Sequence, residues 1–532
     1  MMARRGARRS HGGRSGNAGS SRGQHRGMVL IIVLVVVAAL ALGGYAFAEL
    51  MVSQRSAARL AGRQLQARSL VDSGVDMTRV LLMKSREERE SSGGVYDNVQ
   101  QFQGVTVLED TDPNERGKFS IISPNLDQDD QVAGVRFGLA DESAKLNLNL
   151  LLVADKKLPG TGRTLLMGVP GMSEEYADAI LDWMDDDADK RDYGCEDEYY
   201  SGLTPPYKTA NRPLMTVEEL LLVRGVTPQL LFGYDVNRNG VVDPNEMPGG
   251  TSGDNDAATQ LGWSQFLTLN SKERNVNAAG EPRININQDD LQALYDQLVE
   301  RLGNEAWASY IVAYRQNGAS TGTGQAREWQ AMPFDPAKQS RTKFSQVLDL
   351  IGSKIQVQGG QGGNQIYNSP FSSEIIAMGL YLPQLLDNVT ISESPVLPGR
   401  INVNQAPKAL LQAVPGMTEE ILTEILSRRS PEADPNMPLR RSEAWLLAEG
   451  IVTLTEMKSL SAFLCGGGDV YRAQVVGYFQ GGQAASRAEV LLDATASPPR
   501  ILLYRDISHL GRGYALETLG VDLNDGTATV AP

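Results

Sequence analysis

Residues 28–48 read Met28-Val-Leu-Ile-Ile-Val-Leu-Val-Val-Val-Ala-Ala-Leu-Ala-Leu-Gly-Gly-Tyr-Ala-Phe-Ala48 and carry no charge. About 20 apolar residues in a helix cross the hydrocarbon core of a bilayer, so this run is long enough to do so. It is too long for the core of a secretory signal, and Ala46-Phe47-Ala48 is a weak cleavage triplet. Ahead of it, residues 1–27 hold seven Arg and no acid. Basic flanks stay in the cytoplasm, which puts everything after Glu49 on the far side of the membrane. Without those residues the net charge moves from -14 to -21. A segment so lopsided reads as a topogenic leader and not as part of a fold.

Beyond the apolar run, Gln54 to Glu90 is rich in Ala, Leu, Arg, Gln and Glu, and Ser91-Ser92-Gly93-Gly94 ends it. The composition predicts that the helix continues out of the membrane. At 532 residues the chain has room for two to four folding units. Its acidic balance argues against a nucleic-acid grip, which needs a basic face. Of three histidines, His11 and His25 sit in the leader and only His509 remains. Zinc sites built on two His are excluded, and no Gly-x-Ser-x-Gly elbow accompanies His509, so no catalytic residues are assigned. Cys195 and Cys465 show no Cys-x-x-Cys spacing, and their pairing stays open.

The middle of the chain repeats itself three times. Lys145-Leu-Asn-Leu-Asn149 recurs as Arg283-Ile-Asn-Ile-Asn287 and as Arg400-Ile-Asn-Val-Asn404. Each copy alternates polar and apolar residues and leads into a helix-forming stretch, which its second Asn is placed to cap. Gly168-Val-Pro-Gly-Met-Ser-Glu-Glu175 in copy one matches Val414-Pro-Gly-Met-Thr-Glu-Glu420 in copy three. Pro-Gly makes the turn, Ser173 or Thr418 caps the next helix, and a Glu expected three positions later completes a capping box. A third helix closes each module, over Val217–Gly225, Phe344–Gly352 and Ser442–Gly450.

Copy one also carries Asp182-Trp-Met-Asp185-Asp-Asp187 and then Gly194-Cys-Glu196-Asp-Glu-Tyr199-Tyr200. A cation would relieve so dense a set of carboxylates, with Asp182, Asp185, Asp187 and Glu196 as a second candidate cation cluster; the plain reading is a solvated acidic loop. The sharper motif is Asp235-Val-Asn237-Arg-Asn239-Gly240-Val241-Val-Asp243-Pro-Asn-Glu246. It places oxygen donors at positions 1, 3, 5, 7 and 9 of a twelve-residue calcium loop, with Glu at 12 and Gly at 6. Calcium is therefore the expected ion, on Asp235, Asn237, Asn239, the Val241 carbonyl, Asp243 and Glu246. Pro244 suits the start of an exiting helix.

The Asp-Trp-x-Asp-x-Asp run with its following Gly-x-Glu and Tyr, together with Asp141-Glu142, Leu146-Asn147 and Asn211-Arg-Pro-Leu before Glu218-Glu219-Leu220, resembles the K-class minor pseudopilins of type II secretion over about residues 136–233. Arg26-Gly27-Met28 similarly resembles a prepilin peptidase site, which implies cleavage after Gly27 and a mature start at Met28. Ile32 stands where most pilin-like proteins carry Glu at the fifth mature position, a departure the K class shares and one that suits a subunit with none ahead of it. The resemblance also implies calcium binding.

It further implies an α+β fold: a transmembrane and spine helix over 28–92, and a pilin-like antiparallel sheet interrupted by a large all-α insertion. The sheet is expected in two parts, 93–144 and 467–532. Between them come helical module 1 with the calcium loop (145–246), a linker (247–282), module 2 (283–370) and module 3 (371–466). The modules resemble helix-hairpin-helix or SAM-like units. The expected partners are prepilin peptidase, the major and other minor pseudopilins, inner-membrane lipid, and secretin or secreted cargo, with no nucleic acid. The rival reading is a membrane-anchored helix-hairpin-helix receptor for DNA, against which Ser173 or Thr418 followed by Glu-Glu replaces the Gly that would let backbone amides reach a phosphate. A third reading, a hydrolase using the carboxylates around Asp182, would need a pocket and two carboxyls with split pKa values.

Overall fold

The computed structural model describes residues 25–126, 132–243, 245–246, 261–322, 324–332, 335, 338–358, 364–431, 434 and 436–521. The basic leader through residue 24, the first part of the 247–282 linker and residues 522–532 of the last β region lie outside these. The chain divides into two units, 1–63 and 64–532. In the first, the described residues are all helix, and the apolar run is exposed along its length, Leu30 at 74% and Leu42 at 73%. This is the one helix among the described residues long and apolar enough to cross a membrane.

That helix, α1, spans His25–Met83. It stops short of the expected Glu90 because Ser85 starts a separate helix, α2 (Arg86–Ser91). The Ser85 hydroxyl accepts from the Glu88 amide, and the Glu88 carboxylate accepts from the Ser85 amide. Within the second unit, Val71 and Val75 of α1 point into a core with Phe119, Ile121, Val475 and Val490. Two glycines set how closely helix and sheet approach. A Cβ on Gly74 would fall 2.7 Å from Val475, and one on Gly477 would fall 2.3 Å from the Ala67 carbonyl.

The sheet begins with β1 (Val105–Leu108), β2 (Gly117–Leu126), β3 (Val132–Phe137) and β4 (Ala140–Asp141). The chain then leaves for the helical block and returns much later with the remaining strands. Three short parallel strand pairs tie this block together, one per repeat. They are β5 (Leu146–Asn147) with β6 (Leu267–Thr268), β7 (Ile284–Asn285) with β8 (Val389–Thr390), and β9 (Ile401–Asn402) with β10 (Leu464–Cys465). The repeated pentapeptide is thus the opening strand of each module, paired with a strand that closes it. The modules share one apolar core running from Leu146 to Leu464.

The first Asn of each pentapeptide, not the second, makes the cap. Asn147, Asn285 and Asn402 each accept from the amide two residues on, at 3.1, 2.9 and 2.9 Å. The second Asn reaches across the module. Asn149 accepts from the Leu214 amide at 2.8 Å and donates to its carbonyl at 3.1 Å; Asn287 does the same to Phe344 at 2.8 and 3.0 Å. Asn404 only donates, to the Arg440 and Gly466 carbonyls. The closing helices are shorter than expected: 3₁₀ turns over Val217–Leu222 and Val347–Leu350, and an α-turn over Trp445–Ala448. Ser173 and Thr418 cap their helices through the amides of Tyr176 and Ile421. No capping box forms, because position N3 is Tyr176 or Ile421 and not an acid.

The returning strands are β11 (Val470–Phe479), β12 (Ala485–Asp493) and β13 (Arg500–Asp506). β11 pairs antiparallel with β2, Ser120 opposite Val476, so the two halves of the sheet join directly across the insertion. The order is β1-β2-β11-β12-β13, with β3 on β2 and β4 on β11. Cys195 and Cys465 are both buried and unpaired.

Candidate metal centre

The twelve-residue loop closes on itself as its sequence demands. Both oxygens of Asp235 face inward, accepting from the amides of Asn239 (3.0 Å) and Gly240 (2.7 Å). The Asn239 side chain accepts from the Val241 amide at 2.8 Å. Glu246 folds back from the far end, its two oxygens accepting from the amides of Asn237 (2.9 Å) and Asp243 (3.0 Å). Gly240 turns the chain at φ 79°, and a Cβ there would fall 2.4 Å from Pro124, so shape and neighbour both require glycine. Asn245 and Glu246 form a turn; the expected exiting helix would fall on residues outside those described.

Asp235 is 5% exposed, and burial pushes its carboxyl up to about 6 although two amides hold the charged form. The Asn237 side-chain oxygen is buried with no hydrogen-bond donor. The terminal amides of Asn237 and Asn239 both donate to Asp243, at 2.7 and 3.3 Å. A half-turn of each amide exchanges donor for acceptor. As the side chains stand, no three Asp, Glu, His or Cys among the described residues converge tightly enough to ligate one ion. The loop supplies hard oxygens of the kind calcium takes, with one orphaned and one carboxylate desolvated, so the residues fit that ion.

The loop does not hang free. Arg487, 1% exposed, donates to the Asn237 carbonyl, and Gln474 donates to the Arg238 carbonyl. Tyr514 donates to the Asn239 carbonyl at 3.0 Å, and Asn239 donates to the Gly513 carbonyl at 2.8 Å. Sequence reasoning missed these partners. They lie more than 230 residues further along, on two strands and on the segment after the last strand, none of which shows a local sign of the loop.

In the acidic run, Asp182, Asp185 and Glu196 come together and are buried, while Asp187 stays exposed at the rim. Arg191, not foreseen, lies between the first two, 2.7 Å from Asp182 and also bonded to Asp185. Burial raises Asp182 and Asp185, and Arg191 offsets only part of it. Glu196 is pushed up to about 7, by burial first and then by the charges of Asp182, Asp185 and Asp187. One oxygen each of Asp185 and Glu196 is buried without a partner. A Cβ on Gly194 would fall 1.7 Å from the Asp182 carboxylate, so the glycine of the signature is what admits the carboxylate.

Residues 144–232 match the family model for type II secretion system protein K, the first domain of that protein. Over that segment the chain is similar to type II secretion system protein K. Protein K of Aeromonas hydrophila is 53% identical over 57 residues, 10% of this chain and 17% of that protein. Protein K of Pseudomonas aeruginosa is 33% identical over 97 residues, 17% of this chain and 29% of that one. The chain thus spans less than a third of the curated protein K relatives it matches. A solved GspK-GspI-GspJ complex of enterotoxigenic Escherichia coli contains a chain that aligns over 86% of this one and 98% of its own length. Its TM-score is 0.34, at 12% identity. The matched segment holds the acidic run, Gly194, the Asn147 cap and Asn149 clamp of module 1 and the Val217–Leu222 turn, and ends just before the calcium-type loop.

Proposed function

We propose that the chain is a minor pseudopilin at the tip of a type II secretion pseudopilus, a non-enzymatic assembly component for export across the outer membrane. The protein K match over residues 144–232 carries this reading. The long apolar helix supports it, since a subunit that waits in a membrane and then packs into a fibre needs one. On this reading residues 28–48 sit in the inner membrane with the Arg-rich leader in the cytoplasm, and the rest is periplasmic. Prepilin peptidase cuts after Gly27. Ile32 leaves the helix without a carboxylate to neutralise the terminal amine of a subunit ahead, which suits a position with none. The partners are the other minor pseudopilins and the major pseudopilin, with secretin or cargo met at the tip.

Calcium belongs to the same proposal. Asp235, Asn237, Asn239, the Val241 carbonyl, Asp243 and Glu246 would hold it, and it would supply charge that lets a desolvated loop keep its fold. Asp182, Asp185, Asp187 and Glu196 form the second cation cluster, which needs Arg191 to swing aside.

The test is the intact mass and first residue of the chain co-expressed with a prepilin peptidase. A start at Met28, abolished by Gly27→Leu, is expected. A chain that still begins ahead of Gly27 would sink the fibre reading. Calcium titration of the same protein checks the loop: Glu246→Gln should weaken binding by more than the roughly 10–100-fold typical of losing an outer-sphere partner.

A further inference from the structure

Each repeated strand opens with a cation: Lys145, Arg283 or Arg400. Two of the three meet a carboxylate. Lys145 lies 3.6 Å from the buried Glu142. Arg400 is held between Glu273 at 2.9 Å and Glu443 at 2.8 Å. Arg283 differs. Its Nε donates to the Asp387 backbone carbonyl at 3.1 Å, and among the described residues no carboxylate stands within ion-pair distance of its guanidinium. The nearby acids are committed elsewhere. Asp387 accepts from the Ala278 amide at 3.0 and 3.2 Å, and Arg400 takes Glu273 and Glu443.

Arg283 lines a cavity of about 430 Å³ where α2 and the second and third modules meet. Six arginines wall it: Arg86, Arg89, Arg274, Arg283, Arg400 and Arg441. With Lys157 and Lys458 the wall has eight cations against four carboxylates. Glu90 and Asp349 stand just behind it, paired with Arg441 and Lys458, and still leave the cations in excess. Arg89 is 5% exposed, and its Nε has no hydrogen-bond acceptor. Around Arg283 burial outweighs the charges of Asp387, Glu273 and Glu443 and lowers its pKa, so the site is under-supplied with anion. A positive cavity stands out in a chain of net charge -14.

We propose that this cavity binds an oxyanion of carboxylate geometry, gripped by the two terminal nitrogens of Arg283. A guanidinium presents paired donors that match a carboxylate in two parallel bonds. In the two sister copies the residue at this position has a carboxylate as its partner. The second copy thus keeps the cation and takes its anion from outside the chain. That carboxylate comes either from a free small acid or from a polypeptide, as an acidic side chain or a chain terminus.

The full chain in detergent, at constant ionic strength, is titrated calorimetrically with succinate, with a short peptide bearing a free C-terminal carboxylate, with the same peptide amidated, and with inorganic phosphate. Saturable binding of succinate or of the acid-form peptide is expected, weakened about tenfold or more in Arg283→Gln and less in Arg283→Lys, which keeps charge without the fork. Succinate binding assigns a free acid; binding of the acid-form peptide alone assigns a polypeptide. Hydrogen exchange across β7 and β8 verifies that each variant is folded, and Arg274→Gln, whose partner Asp469 lies at the other wall, gives a second variant expected to weaken binding. The proposal fails if no carboxylate binds below about 10 mM, a limit near 3 kcal/mol of affinity. It fails equally if Arg283→Gln binds as the unaltered chain does, or if phosphate binds more tightly than every carboxylate.

Discussion

Asp141 ends β4 at the point where the sheet hands over to the helical block, and it is 4% exposed. One oxygen accepts from the Gly468 amide at 2.7 Å and the Asn402 side chain at 2.9 Å; the other accepts from the Ser143 amide at 2.8 Å. It thereby holds the first strand of module 3 against the returning chain. Burial nevertheless wins over these bonds and raises its carboxyl to about 6, from 3.8. Between these values the unfolded chain has lost the proton and the folded chain keeps it. Stability contributed here therefore falls as pH rises from about 4 to about 6, and is flat outside that window. Next to it, burial also pushes Glu142 up, but Arg472 and Lys145 overcome it and hold the carboxyl near 2, so its contribution is lost only as pH falls below about 4.5. Asp141→Asn is expected to remove the downward slope between about pH 4 and 6 and leave the acid limb in place, read as the difference in denaturation midpoint between the two proteins. An unchanged difference across that window would show that Asp141 titrates normally.

At the scale of elements, the repeat was legible because it is local. Alternating Lys145–Asn149 and its two copies announce strands, Pro-Gly announces the turn, and Ser173 and Thr418 announce helix starts. Sequence did not reveal what each strand pairs with, because β6, β8 and β10 are two residues long and carry no pattern of their own. The same limit explains the misassigned Asn. Spacing suggests a cap for either residue, and only the folded module shows that Asn149 clamps Leu214 across 65 residues. The clamps are unequal. Asn149→Ala strips both the amide and the carbonyl of buried Leu214 of a partner and is expected to cost about 2–3 kcal/mol. Asn404→Ala removes only donors to carbonyls, which tolerate loss better, and deletes an oxygen that is already orphaned, so it should cost distinctly less. Urea denaturation followed by tryptophan fluorescence ranks the two; the reverse order would mean that the clamps do not set module stability.

For the whole molecule, the calcium-type loop is the feature whose internal closure was readable and whose position was not. Its donors follow from twelve consecutive residues. Its attachment needs Arg487 and Gln474 on β12 and β11, and the Gly513–Tyr514 segment, all supplied after the chain returns from the insertion. The loop thereby joins module 1 to the sheet that packs on α1, through carbonyls of Asn237, Arg238 and Asn239 at the loop's own bend. An ion that fixes this bend fixes the orientation of those carbonyls, and with them the seat of β11, β12 and the 508–521 segment. On the calcium reading, adding calcium should therefore slow hydrogen exchange both in 235–246 and in 508–521 and the paired ends of β11 and β12. Arg487→Gln should keep protection in the loop and lose it in the distant segments, and Glu246→Gln should lose both. Calcium that binds, as judged by titration, but protects residues 235–246 alone would leave the metal site standing and refute its role as a fastener between the helical block and the sheet.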